Sequence, residues 1–193
     1  MNFAFYPNSP FTSCLMKPPK SVNVIIPSLG GLGGLLLGDI NAAQDHYYLK
    51  KNEIASVLTV AASASYLNYP RWVLQNHKMV AANDHPYFRI DKFFEECFEF
   101  IHENRTQGRN VLVHCMAGVS RSATIVIGYI MTLYEMEFQA AYSFVKKRRG
   151  VIRPNDGFMD QLMEYDQDLQ RKRTSNIDKN LSSSSSSSSS TIV

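Results

Sequence analysis

An α/β domain, a sheet with helices on its faces, is the fold class this 193-residue chain predicts. Three observations carry that expectation. Ile54 to Val60, IASVLTV, is a β-branched run bounded by polar residues and reads as a strand. From Ile90 to Ile101 the apolar residues Ile90, Phe93, Phe94, Cys97, Phe98 and Ile101 recur at helical spacing, and Asp91, Lys92, Glu95, Glu96 and Glu99 take the other positions. Asn110 to Val113 is then a short buried strand running into His114-Cys115, and Ala123 to Tyr134 is apolar almost all round, as a central buried helix must be.

The other elements follow in order. Leu35-Leu36-Leu37 is a short apolar strand ending at Gly38-Asp39, with a helix expected through Ala42, Ala43, Tyr47 and Leu49. Lys78 to Ala82 is a weaker strand, and Gly108 closes the helix over 91–104. Phe138 to Arg149 and Gly157 to Leu169 read as the last two helices, the second with Phe158, Leu162, Tyr165 and Leu169 as its buried stripe. Residues 1–21, with Pro7, Pro10, Pro18 and Pro19, are expected to form a flexible arm before a domain over 22–172. Residues 173–193, with the serine run Ser182 to Ser190, are expected to be a disordered tail. Gly30, Gly31, Gly33 and Gly34 predict a loose turn, because no Gly-Lys-Ser/Thr follows to make a phosphate loop.

Composition narrows the function classes. With 45% hydrophobic and 19% charged residues the chain suits one globular domain with polar margins. A net charge of +3 favours anionic ligands without implying nucleic acid. Cys14, Cys97 and Cys115 are an odd, widely spaced set; without Cys-x-x-Cys or paired histidines, neither a disulfide framework nor a zinc site is expected. No metal or cofactor is therefore expected, and a reducing compartment is. No apolar run approaches the ~18 residues of a membrane span. The first residues lack a signal-peptide layout and carry Asn2, so neither a leader nor N-myristoylation is expected. Cys97 falls on the apolar stripe of its helix and reads as core. Lys146-Lys147-Arg148-Arg149 reads as a solvated helix end, where cations meet the helix dipole.

The segment VHCMAGVSRSA, Val113 to Ala123, carries the chemistry. A buried strand ends at Cys115, and a helix starts at Arg121. The small residues Ala117, Gly118 and Ser120 between them let Met116, Ala117, Gly118, Val119 and Ser120 curl so that backbone N–H groups form an anion nest. The helix N-terminus adds positive potential, and Arg121 can offer two parallel donors to a tetrahedral oxyanion. A sulfur in that field is favoured as the thiolate, the nucleophilic form.

These residues resemble the signature loop of the protein tyrosine phosphatase superfamily, His-Cys-(x)5-Arg-Ser/Thr, and Ser120-Arg121-Ser122 resembles its dual-specificity branch. Leu35 to Ala43 (LLLGDINAA) and Ile152 to Leu162 (IRPNDGFMDQL) resemble that branch's opening and closing segments, so the likeness covers about residues 22 to 170. It implies the cysteine-phosphatase fold, a central mixed sheet flanked by helices. It further implies a small, atypical dual-specificity phosphatase acting on phosphotyrosine and phosphoserine/phosphothreonine through a phosphocysteine. In that reading Cys115 is the nucleophile, Arg121 binds the phosphate, Ser122 steadies the departing thiolate, and His114 and Asn155 support the loop.

The leaving oxygen also needs a proton, and hence a carboxylic acid at the mouth of the loop. Asp84, in AANDHPYF, stands 31 positions before Cys115, where the family places its acid. Asp91 is the rival, although its place in the first turn of a helix favours a dipole role. No lysine or arginine occurs between Cys115 and Arg121, which suits a single phosphate on a protein rather than a lipid carrying extra phosphates. Phosphorylated proteins are the expected partners, with mitogen-activated protein kinases an open substrate class. The expected location is the cytoplasm, with the nucleus left open by the basic runs. The competing classes are a phosphoprotein-capturing module without turnover and a phosphatase of a non-protein phosphate. The first would lack one of Cys115, Arg121 and Asp84, and the second would carry basic loop residues.

Overall fold

The computed structural model describes residues 21–63, 67–71 and 73–185. Five strands form one sheet: β1 (Val22–Ile26), β2 (Leu35–Gly38), β3 (Ile54–Val60), β4 (Asn76–Val80) and β5 (Asn110–His114), in the order β1-β2-β5-β3-β4. β1 is antiparallel to β2, and the remaining pairings are parallel. The helices are α1 (Ile40–Gln44), α2 (His46–Lys51), α3 (Phe94–Thr106), α4 (Arg121–Leu133), α5 (Phe138–Arg148) and α6 (Asp156–Ser185). A sheet with helices on its faces is what the strand and helix patterns predict, and its mixed character is what the family resemblance implies.

The central strands read as continuous apolar runs because both faces of the sheet are covered. Leu35, Leu37, Leu58, Val60, Val111 and Val113 face the larger core, packed with residues of α3 to α6. The alternate residues Leu36, Val57 and Leu112 face a smaller core with Ala42, Ala43 and Leu49. α4 is buried at every residue from Ser122 to Met131. It passes α3 so closely that a Cβ on Gly128 would lie 2.8 Å from the Phe98 ring. In register, Gly38 of β2 and Thr59 of β3 both stand beside His114 of β5. Three strand C-termini thus meet at one end of the sheet, where open α/β sheets place their sites.

Several boundaries differ from the sequence reading. β1 was not expected. It is a short edge strand whose partner is β2, and an antiparallel edge of five residues leaves little periodic signal. The single helix expected through Ala42 and Leu49 is two, because the Asp45 carboxylate caps a new start by accepting from Tyr48 N–H at 2.8 Å. The weaker strand starts earlier, at Asn76, and ends at Val80. The glycine-rich turn is not loose. Gly33 N–H donates to Arg105 O at 2.7 Å and Gly33 O accepts from the buried Arg105 Nε at 2.9 Å, while a Cβ on Gly33 would sit 1.8 Å from Arg109 O. α6 runs on past Leu169 to Ser185, into the segment read as tail, because no glycine or proline interrupts 170–185. Residues 1–20 and 186–193, and with them Cys14 and most of the arm, lie outside the described residues.

Candidate active site

Cys115 follows β5 directly and is only 1% exposed. Its Sγ accepts the Gly118 N–H and the Ser122 hydroxyl, both at 3.2 Å. The loop around it is held from outside by its carbonyls. Met116 O accepts from Ile40 N–H at 3.1 Å, Val119 O from Arg153 N–H at 2.8 Å, and Ser120 O from Thr124 N–H at 2.9 Å. Gly118 O accepts from Arg149 Nε at 2.9 Å, and the same guanidinium reaches Ala117 O at 3.5 Å. In a planar trans peptide N–H and C=O point in opposite directions. Carbonyls turned outward therefore turn the amides of residues 117–121 inward, and the Gly118 N–H on the sulfur marks that inner side. Gly118 alone in the loop has positive φ, +65°, and a Cβ there would stand 2.4 Å from Gly38 O, so both conformation and space demand glycine. Met116 and Ala117 lie exposed at the rim, Val119 is half-buried and Ser120 buried.

Arg121 opens α4, on the same rim. Its Nη1 donates to Ala82 O at 3.2 Å, and its Nε lies 3.4 Å from Asp84 Oδ2 without hydrogen-bond geometry. Asp84 is brought to the loop by two further contacts. Its Oδ1 accepts from the Ser120 hydroxyl at 2.7 Å and from Asn155 Nδ2 at 2.9 Å. Asn155 also donates its N–H to Ser120 Oγ at 3.2 Å and accepts from Phe158 N–H at 3.0 Å, capping α6. One asparagine thus joins the Asp84 segment, the cysteine loop and the last helix. The rival, Asp91, is elsewhere. It is held by Arg89 at 2.9 and 2.6 Å, and that hydrogen-bonded guanidinium keeps its carboxyl below the usual carboxylate range.

His114 is wholly buried, and burial pulls its imidazole down to about 4, so it is neutral at physiological pH. The tautomer follows from its partners. Nδ1, 3.1 Å from Cys115 O, must donate, because a carbonyl only accepts. Nε2 is then an acceptor and takes the Thr59 hydroxyl proton at 2.8 Å, and Thr59 Oγ1 in turn accepts from His77 Nε2 at 2.9 Å. This chain from His77 to the carbonyl of Cys115 fixes the entrance to the loop. His77 and Thr59 were not singled out from sequence, since nothing local distinguishes them.

Arg149 was misread. The run Lys146 to Arg149 is not a uniformly solvated helix end, because Arg149 is 2% exposed and turns inward under the loop. It is the residue after α5, in extended backbone (φ −132°, ψ 91°), and this departure from the helix redirects its side chain. Lys147 and Arg148 stay exposed, with Arg148 over the Phe144 ring at 3.5 Å. Cys97 is buried on α3, where burial pushes its thiol up to about 12, which suits core and not chemistry. Among the described residues no three or more His, Cys, Asp or Glu side chains converge as a metal site, and no helix is long and apolar enough to cross a membrane.

Residues 35–168 match the dual specificity phosphatase catalytic domain, well over half of the chain. The chain belongs to that family. Mouse dual specificity protein phosphatase 19 is 42% identical over 131 residues, covering 68% of this chain and 58% of the relative. Human dual specificity protein phosphatase 22 is 39% identical over 149 residues, covering 76% of this chain and 74% of the relative. The crystal structure of human DUSP28 aligns with a TM-score of 0.70 at 26% identity, covering 79% of this chain and 97% of that one. The match to the mouse enzyme thus spans little more than half of that relative's length. In this dual specificity phosphatase domain the cysteine loop and Asp84 lie inside the matched segment. β1 and its Asn23 precede it.

Proposed function

We propose that the protein is a phosphoprotein phosphatase that hydrolyses phosphotyrosine and phosphoserine/phosphothreonine through a phosphocysteine intermediate. The observation that supports this best is the Cys115 sulfur, which receives a backbone N–H and the Ser122 hydroxyl inside a loop closed by Arg121, with Asp84 tied to the rim. The reaction follows from these positions. The Cys115 thiolate attacks phosphorus, forming P–S as the P–O bond to the substrate breaks. Inward amides and Arg121 stabilise the equatorial oxygens as charge shifts among them. Asp84, in its protonated form, gives its proton to the departing oxygen. Water then attacks the phosphocysteine, Asp84 takes a proton from it, and P–S breaks. The Ser122 hydroxyl donates to the sulfur as it regains its charge.

The substrate reading rests on the loop's rim. Met116, Ala117 and Val119 offer no cation for a second phosphate, which suits a single phosphate on a protein side chain. Mitogen-activated protein kinases remain one substrate class to try, and the cytoplasm or nucleus the locations to examine. The test offers the purified protein an aryl phosphate and a panel of phosphopeptides under reducing conditions, beside Cys115→Ser and Asp84→Ala. Turnover by the parent protein that Cys115→Ser abolishes supports the proposal. Equal rates in the two remove it, and phosphopeptide capture without turnover favours a binding module.

A further inference from the structure

We propose that Arg149 is a positioning residue of the phosphate loop, and that Asn23 on β1 holds it there. The proposal rests on the phosphatase reading above. Arg149 bridges three parts of the fold. Nε donates to Gly118 O at 2.9 Å, Nη2 reaches Ala117 O at 3.5 Å, and Nη1 donates to Asn23 Oδ1 at 2.8 Å. Asn23 pairs in register with Leu37, one residue before Gly38, whose carbonyl packs under Gly118. The guanidinium therefore sits behind the loop, on the side opposite the anion nest, and fastens the middle of the loop to the edge of the sheet.

Two consequences follow, one geometric and one electrostatic. A planar fork that holds Gly118 O, and reaches Ala117 O more weakly, keeps the amides of residues 118 and 119 turned toward the sulfur. A compact ammonium cannot match that fork. The guanidinium is also a buried cation behind the thiolate. Burial pulls it below its ordinary value, while the charges of Asp39, at the start of α1, and Cys115 act in the opposite direction. Arg121 meets the substrate from the front while Arg149 supports the loop from behind, so the two arginines are not interchangeable.

The test compares the parent protein with Arg149→Met, Arg149→Lys and Asn23→Ala, each checked for a cooperative thermal transition. Three quantities are read: the pH midpoint of Cys115 alkylation by iodoacetamide, kcat and KM for p-nitrophenyl phosphate, and inhibition by inorganic phosphate. Arg149→Met loses both charge and fork. Its alkylation midpoint moves upward, and kcat/KM falls by about 10²-fold. Arg149→Lys keeps the charge and loses the fork, so its midpoint stays nearer the parent value while phosphate inhibition weakens. Asn23→Ala moves the same readouts in the same direction by about 2- to 5-fold. A merely structural residue would leave the alkylation midpoint and phosphate inhibition of the folded fraction unchanged, and that result in Arg149→Met overturns the proposal. Should Arg149→Met fail to fold, Asn23→Ala decides alone, and parent-like alkylation and phosphate inhibition there overturn it. A parent protein that hydrolyses neither aryl phosphate nor phosphopeptide sinks the phosphatase reading instead. An active parent with indifferent variants sinks only the role of Arg149.

Discussion

The segment that bears Cys115 and the segment that bears Asp84 are held in different ways. From Met116 to Ser120 every loop carbonyl meets an outside donor, most of them backbone or buried groups. Among the described residues Asp84 is tied through side chains, by Ser120, Asn155 and the ion pair with Arg121, and its own side chain is 35% exposed. The proposed nucleophile is thus built into the fold, whereas the proposed acid is attached to it by a few replaceable contacts. Changes at the first should abolish chemistry, and changes at the second should depend on how much the leaving group needs a proton.

The largest effect belongs to Cys115→Ser. Turnover of every phosphate ester should fall by at least ~10³-fold, while the thermal midpoint and phosphate binding stay near those of the parent. Asp84→Ala should reduce hydrolysis of phosphoserine and alkyl phosphates by about 10²–10⁴-fold. Its loss on p-nitrophenyl phosphate, whose leaving group departs as a stable anion, should be far smaller. Equal losses on both substrates would mean that Asp84 is not the proton donor. Asn155→Ala should follow the same leaving-group pattern at about 3- to 10-fold, because it removes one of the two donors to Asp84 Oδ1.

Stability should separate the two regions as well. Leu112, fully buried between the sheet and α1 and α2, should cost about 2–5 kcal/mol when cut to alanine, read by denaturant unfolding. His114 makes the loop's support pH-dependent. Its folded value of about 4 lies below the usual 6.5, so between these limits the unfolded chain binds more protons. Stability is complete above the upper limit and falls as pH drops through the window, by an amount on the order of 3 kcal/mol. Unfolding midpoints taken across that range should show the slope, and His114→Asn should flatten it.

Much of this was legible in the chain itself, for physical reasons. The loop from His114 to Ser122 depends on residue identity at fixed local spacing, which survives without coordinates. The helix expected over 91–104 is plain from its apolar period, as is the burial of α4. What stayed hidden depends on distant pairings. Arg149 looks like its three cationic neighbours until Asn23, 126 positions away, and the loop carbonyls give it a reason to turn inward. His77 and Thr59 matter only because β3 brings them beside His114. Gly33 reads as a flexible residue until Arg109 shows that no side chain would fit. The length of α6 was underread because a serine-rich composition does not of itself stop a helix.

The central claim is that the sulfur of Cys115 accepts the phosphoryl group, and intact-protein mass spectrometry after rapid acid quench measures it most directly. In Asp84→Ala mixed with p-nitrophenyl phosphate, hydrolysis of the intermediate should be slowed. The account then predicts a transient adduct of one phosphoryl group, mapped to the peptide containing Cys115 and missing when Cys115 is serine. Steady turnover with no adduct at that peptide, or an adduct on any other residue, would contradict it.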